Sequence, residues 1–255
     1  MKLIKLVYCI ALVILVCACN TTSTQNTVSG SYQTNEVAQA NINLGIEYLK
    51  RGEYENALIK LKKAEKADPR NPSVYNALGL LYQQVNQPEK AEEYFKKSLS
   101  LEPANSSTLN NYGLFLCNNN KYEEALEAFQ KSANNPLYQT PEVSITNAGT
   151  CALNNDKPDL AEGYFRQALE RNPKVAPALI QMGEISYDQG NYLSARGYLE
   201  RYLAIAKHTP KSLWLGIRIE QQLGDKDTLS SYALLLRNNF PDTDEARLLK
   251  ESGVK

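Results

Sequence analysis

Residues 72–105 read PSVYNALGLLYQQVNQPEKAEEYFKKSLSLEPAN, and the same order of small, aromatic and proline residues returns along most of the chain. Within this stretch Gly79 follows Leu78, Ala91 lies twelve residues beyond it, Phe95 four beyond that, and Pro103 closes the unit. The glycine recurs as Gly45, Gly79, Gly113, Gly149, Gly183 and Gly216, a nearly constant period of about 34 residues. The alanine recurs as Ala57, Ala91, Ala125, Ala161 and Ala195, giving way to Thr228, and the large residue as Leu61, Phe95, Phe129, Phe165, Leu199 and Tyr232. A fixed period of this size marks a supersecondary unit that buries its apolar face only by stacking on copies of itself.

Physical chemistry accounts for each recurrent residue. A mid-helix glycine costs about 1 kcal/mol against alanine, so six glycines at one position point to a close helix–helix approach. The small residues admit the neighbouring helix and the large ring fills the space beside them. Pro72, Pro88 and Pro158 sit where first helical turns should begin, and a missing N–H does no harm there. Asp68-Pro69, Glu102-Pro103 and Asn172-Pro173 stop the preceding helices.

Composition narrows the function. The chain has 255 residues, 43% hydrophobic and 22% charged, with 28 basic residues against 28 acidic ones, an ordinary globular balance. A neutral total leaves no basic footprint for nucleic acid. His208 is the single histidine, so triads, histidine metal sites and imidazole acid–base pairs have little to work with. It reads as a partly exposed loop residue. No Gly-rich phosphate loop occurs, and Glu92-Glu93 and Glu123-Glu124 read as solvated starts of second helices. The expectation is a chain with no catalytic residues, no metal, no cofactor and no small-molecule substrate, whose partners are proteins and not nucleic acid.

The first residues read as an address. Lys2 and Lys5 precede an apolar run from Leu6 to Val16, the pattern of a secretory signal and well short of the roughly 20 residues a membrane span requires. Val16-Cys17-Ala18-Cys19 resembles a bacterial lipobox, which implies a signal peptide over 1–18 and lipidation at Cys19. An ordinary cleaved signal is the alternative. Residues 19–37, polar from Asn20 to Ser31, then read as a tether, and the absence of aspartate at Asn20 implies sorting to the outer membrane, on its periplasmic face. Removing residues 1–18 leaves 26 basic against 28 acidic residues, since only Lys2 and Lys5 are lost.

The period and its residues resemble the tetratricopeptide repeat, a helix-turn-helix unit of about 34 residues. The resemblance implies an all-α fold, a right-handed solenoid of six repeats over 38–71, 72–105, 106–139, 142–175, 176–208 and 209–241, with a short helix or tail over 242–255. It also implies a concave groove lined by positions 2, 5, 9, 12 and 13 of each unit. In the first unit Ile42, Ile46 and Leu49 take this face beside Lys50, an apolar stripe at i, i+4, i+7 expected to be exposed and distinct from a core face bearing Leu44, Gly45 and Tyr48. Further along, Asn76, Asn110, Asn111, Asn118, Asn147 and Asn154 surround Leu80 and Leu114. An amide can donate and accept at once, which suits an extended peptide backbone; solvated polar faces are the alternative. Cys117 and Cys151 fall at positions 12 and 10 of neighbouring first helices. They form a disulfide if their Cα atoms come within about 7 Å, and otherwise stay two buried thiols.

Two stretches go beyond the generic unit. Leu109-Asn110-Asn111-Tyr112-Gly113-Leu114-Phe115-Leu116-Cys117, with Lys121-Tyr122-Glu123-Glu124-Ala125 after it, is similar to the third repeat of the PilF/PilW family of type IV pilus biogenesis lipoproteins. Ser212-Leu213-Trp214-Leu215-Gly216-Ile217-Arg218-Ile219 is similar to that family's sixth repeat. The resemblance implies a non-catalytic, lipid-anchored outer-membrane pilotin whose groove holds subunits of the pilus secretin during assembly. A generic periplasmic tetratricopeptide scaffold for cell-wall or outer-membrane protein assembly is the competing reading.

Overall fold

A computed structural model describes residues 35–254; the signal, Cys19 and most of the tether lie outside the described residues. Thirteen helices follow one another, with no strand among the described residues. The first unit holds α1 (Glu36–Lys50) and α2 (Tyr54–Ala67), the second α3 (Pro72–Gln84) and α4 (Pro88–Leu101), the third α5 (Ser106–Asn118) and α6 (Tyr122–Ala133). The fourth holds α7 (Pro141–Asn154) and α8 (Pro158–Arg171), the fifth α9 (Ala176–Asp188) and α10 (Tyr192–Leu203), the sixth α11 (Pro210–Leu223) and α12 (Lys226–Asn239). A last short helix, α13 (Asp244–Glu251), follows. The two helices of each pair pack together, each second helix packs on the first helix of the next unit, and most consecutive first helices also touch one another. This is an all-α solenoid.

The helix boundaries follow from local chemistry. Pro72, Pro88, Pro141, Pro158 and Pro210 each open a helix, where proline loses no hydrogen bond. Asn35, Asn71 and Asn105 cap α1, α3 and α5 through side-chain oxygens that accept backbone N–H groups. Within the pairs, the turn depends on one residue in the left-handed region: Gly52, Asn86, Asn120, Asp156 and Gly190, with φ between 55° and 76°. These five occupy the same place in their units, and glycine, asparagine and aspartate are the residues that visit this region at least cost. The residue after each donates its N–H back to the first helix, as Gln87 does to the Tyr82 carbonyl at 2.9 Å and Lys121 to that of Leu116 at 2.9 Å. That bond closes orphan carbonyls at the helix end.

The recurrent glycines sit where the pairs touch. A Cβ on Gly79 would lie 2.8 Å from the Phe95 ring, on Gly113 2.7 Å from Phe129, and on Gly149 2.7 Å from Phe165. Phe95, Phe129 and Phe165 are buried, and their rings cannot swing into solvent. Second helices are then pinned to first helices by hydroxyls: Ser98 Oγ donates to the Pro72 carbonyl at 2.8 Å and Ser132 Oγ to that of Ser106 at 2.8 Å. Gly113→Ala is therefore expected to lower stability by about 1–3 kcal/mol despite its better helix propensity. At Gly163, where a Cβ would meet nothing within 4 Å, alanine should raise stability by roughly 0.5–1 kcal/mol. Urea unfolding of the two variants checks this opposition of sign.

The sixth unit is closed by α13. Leu249 is buried with Leu213, Ile217, Ala233 and Leu236, and Trp214, Phe240 and Val254 pack around them. Two sequence expectations change at the other end of the solenoid. Ile42 is 2% exposed and belongs to the core with Leu61, Val74, Tyr75 and Leu78, whereas Leu44 is 46% exposed. The reason is stacking. Leu44 holds the place that Leu78, Met182 and Leu215 hold in later units, where each is covered, but no second helix precedes α1 among the described residues. Ile42 instead meets the following unit.

Candidate functional site

First helices expose one face that their second helices leave free. On α3 the residues Val74, Tyr75, Ala77, Leu78 and Leu81 are buried, while Asn76, Leu80, Gln83 and Gln84 are half-buried or exposed. Those four lie at i, i+4, i+7, i+8, a single helical face. Ile46 on α1, Leu80 on α3 and Leu114 on α5 are half-buried at the same place in successive units, each resting on core beneath it. Leu49 is half-buried as well. Together they make a shallow apolar row across three units.

Amides cross-link the helices beside this row. Asn111 Nδ2 donates to Asn76 Oδ1 at 3.1 Å, and Asn147 Nδ2 donates to Asn110 Oδ1 at 2.9 Å. Ser144 Oγ lies 3.0 Å from Asn110 Oδ1 and 2.7 Å from Ser132 Oγ. Asn110 is only 8% exposed, so it is a joint between α5 and α7 and not an open contact. The same correction applies to Ile42: both belong to the seam between stacked first helices, because that position meets the next unit. Asn76, Asn111 and Asn147 remain partly exposed, and Asn118 and Asn154 are exposed at the ends of α5 and α7.

At the far edge of the row a polar cleft opens between α3 and α5, lined by Gln83, Gln84, Asn86, Phe115, Asn118 and Asn119. Gln83 Oε1 is buried there without a hydrogen-bond partner among the described residues. No single-residue signal in the sequence marks that atom.

The cysteines stand beneath this face. Cys117 on α5 and Cys151 on α7 are joined as a disulfide, with Cα atoms 5.9 Å apart and both residues buried, inside the range a disulfide tolerates. Glu92 departs from its reading as a solvated residue: Lys121 Nζ at 2.8 Å and Lys96 Nζ at 2.7 Å both bond it. Those hydrogen bonds, Lys121's first, hold its carboxyl down at about 2, below the usual 4.5. It thus links units two and three.

Repeat families described as tetratricopeptide or TPR repeats match residues 45–86, 72–105, 94–127 and 146–210. The type IV pilus assembly protein PilF of Pseudomonas aeruginosa is 31% identical over 227 residues, 89% of this chain and 90% of that protein. The chain belongs to the PilF/PilW family. The solved structure of Pseudomonas aeruginosa PilF superposes with a TM-score of 0.77 at 32% identity, covering 86% of this chain and 99% of that one. That of PilW, described as a widely conserved type IV pilus biogenesis factor, superposes with a TM-score of 0.74 at 29% identity, covering 85% and 99%. This PilF/PilW member is therefore a tetratricopeptide protein of type IV pilus biogenesis, and proteins of this repeat class bind other proteins. No helix among the described residues is long and apolar enough to cross a membrane.

His208 lies between α10 and α11, half-buried, with its ring 5.5 Å from that of Tyr232. Its Nδ1 is buried without a partner among the described residues, and burial holds the imidazole below its ordinary value of 6.5. The unfolded chain then binds the proton more readily than the folded one. Stability is fully present above 6.5 and is lost as pH falls below it. Melting curves on acidification should show the native protein losing more stability than His208→Gln; parallel losses would remove the assignment.

Proposed function

We propose that this protein is a non-catalytic, lipid-anchored assembly factor, a pilotin, for the outer-membrane secretin of the type IV pilus. Likeness to PilF over 89% of the chain carries the reading, and the free face of the first helices supplies a surface for a partner segment. Cys19, outside the described residues, is the proposed lipid attachment point, and the polar stretch after it lets the solenoid stand off the periplasmic face of the outer membrane. The protein then works by mass action: holding secretin subunits close together at the membrane raises their effective concentration for oligomerisation.

Because Ile42 is core, the contact surface is assigned to Ile46, Leu49, Leu80 and Leu114 with the partly exposed Asn76 and Asn147. Deleting the gene should abolish heat-resistant secretin multimers on gels while leaving secretin monomer present. Cys19→Ala should release the protein from the outer-membrane fraction. Normal multimers in the deletion strain would favour a general envelope scaffold instead, and unchanged fractionation of Cys19→Ala would remove the lipid anchor.

A further inference from the structure

The two ends of the solenoid are finished differently. The sixth unit is closed by α13, which buries Leu249 and carries Asp244, Glu245 and Glu251. Nothing among the described residues closes the first unit. On α1, Val37, Ala40, Leu44 and Glu47 form one stripe at i, i+3, i+7, i+10. Their counterparts one unit on are Asn71, Val74, Leu78 and Leu81, all buried, whereas Val37 is 60% exposed and the other three are exposed as well. A terminal repeat of a soluble solenoid normally turns a polar face outward; this one turns out a largely apolar stripe.

The neighbouring side of α2 is basic. In unit two, Tyr94 and Lys97 turn back toward unit one: Tyr94 OH accepts from Lys62 Nζ at 2.8 Å, and Lys97 Nζ lies 3.7 Å from Glu65. One unit earlier the same two places hold Lys60 and Lys63, which therefore face the open end. Lys66 follows, exposed, near the end of α2. Lys62 is engaged by Glu65 and Tyr94, but Lys60, Lys63 and Lys66 stand in no ion pair among the described residues. Glu47, the acid of the stripe, is already paired with Lys50 at 2.8 Å. The end thus joins an apolar stripe to uncompensated positive charge.

Charge separates the occupants that such an end could take. Residues 20–34, which join the solenoid at Asn35, hold Val28 and Tyr32 as their large apolar side chains and contain no Asp or Glu, so they bring the lysines no counter-charge. A second copy related by a two-fold axis would set lysine against lysine. An anionic lipid surface meets both needs, with phosphates for the ammonium groups and an apolar layer just beneath them. The entry of the chain favours the same occupant. Asn35 Nδ2 donates to the Ala67 carbonyl at 3.0 Å, one residue past Lys66, so residues 19–34 arrive at the basic end of α2. A flexible stretch from Cys19 to Asn35 has an end-to-end distance of roughly 20–25 Å, and a lipid on Cys19 would hold this end near the bilayer.

We propose that the open end of unit one, Val37, Ala40 and Leu44 with Lys60, Lys63 and Lys66, docks on a phospholipid surface bearing anionic headgroups. The contact stands the solenoid on its first unit. It rests on the reading of the chain as membrane-tethered, and its test needs no secretin. Each basic residue close to an anionic membrane strengthens such a contact about fivefold, so the three lysines make it selective for anionic lipid and sensitive to salt.

Lysine footprinting tests this on the mature protein, purified from membranes in detergent and inserted into preformed vesicles. The vesicles are phosphatidylcholine alone or an equal mixture with phosphatidylglycerol, and acetylation by a neutral, water-soluble reagent is read at each lysine by mass spectrometry. Lys60, Lys63 and Lys66 should react about fivefold or more slowly on the anionic vesicles than on the neutral ones, and high salt should erase the difference. Lys131, Lys174 and Lys250, exposed further along the solenoid, should react alike on both. In Lys60→Gln with Lys63→Gln, Lys66 should lose most of its protection, while Lys131→Gln with Lys174→Gln should leave it unchanged. If the first pair unfolds the protein, Lys63→Gln alone must reduce the protection of Lys66, or the proposal fails. Equal rates on the two vesicles, or equal protection of the later lysines, overturns the proposal, as does protection already present in detergent at doubled mass, the sign of a second copy. If Cys19 carries no lipid, the tether reading falls, and excess vesicles added to the soluble mature chain decide the docking by the same rates. No footprint with secretin multimers still dependent on the protein would refute the lipid contact alone. Normal multimers in the deletion strain with the footprint intact would refute the pilotin role alone.

Discussion

Arg196→Ala is expected to lower the stability of the folded protein by roughly 3 kcal/mol. Glu220, on α11, is 2% exposed. Arg196, on α10, spans it with two nitrogens: Nε donates to one carboxylate oxygen at 3.0 Å, and a terminal nitrogen donates to the other. The same guanidinium reaches Asp225, the N-cap of α12, at 3.7 Å. One arginine thus ties the fifth unit to both helices of the sixth. Removing it leaves a buried carboxylate with no counter-charge, the costly way to break such a pair. Arg196 keeps 30% side-chain exposure, so water can partly replace it, which places the loss at the lower end of the usual range. Replacing both partners by apolar residues of similar size should cost far less. A double-mutant cycle in urea with Arg196→Met and Glu220→Leu checks the claim; a single-site loss below about 1 kcal/mol would mean that the pair behaves as an exposed one.

The disulfide should contribute as much. Cys117 and Cys151 are separated by 34 residues, and for a loop of that size the chain-entropy relation gives about 3–4 kcal/mol. Reduction, or Cys117→Ser with Cys151→Ser, should lower the urea midpoint accordingly, and the effect should be greatest on the seam between α5 and α7 that also holds Asn110, Asn147 and Ser144. Hydrogen exchange would read it there. If the double variant melts at the temperature of the native protein, the bridge is either absent or without consequence for the fold.

What can be read without the structure depends on whether a residue's role is set by its own unit or by a neighbour. The Gly79–Phe95 contact and its counterparts lie inside one unit, so their spacing alone reveals them. The same is true of the prolines that open α3, α4 and α8. A helical wheel shows two apolar faces on α1 but not which one the next unit will cover, so it puts Ile42 and Leu44 on the wrong sides. Asn110 reads as a groove residue for the same reason; its partners, Ser144 and Asn147, are 34 and 37 residues away. The left-handed turn residues are legible in principle, since Gly52, Asn86, Asn120, Asp156 and Gly190 recur in step. Their signal is spread over three residue types, all tolerant of that conformation, and so it is weaker than a single repeated glycine. Arg196 and Glu220 are 24 residues apart on different units, and nothing in their local sequence marks one as buried.

In the proposed role, the free face of the first helices, rather than the solenoid as a whole, supports secretin assembly. Its most direct measurement is the amount of heat-resistant secretin multimer in cells whose only copy of the gene encodes Leu80→Gln together with Leu114→Gln, the protein being present at native level and melting cooperatively. Most multimer should be lost with secretin monomer unchanged, while a strain whose only copy encodes Leu193→Gln should keep multimers at the native amount. Full multimers in the doubly substituted strain would contradict that role.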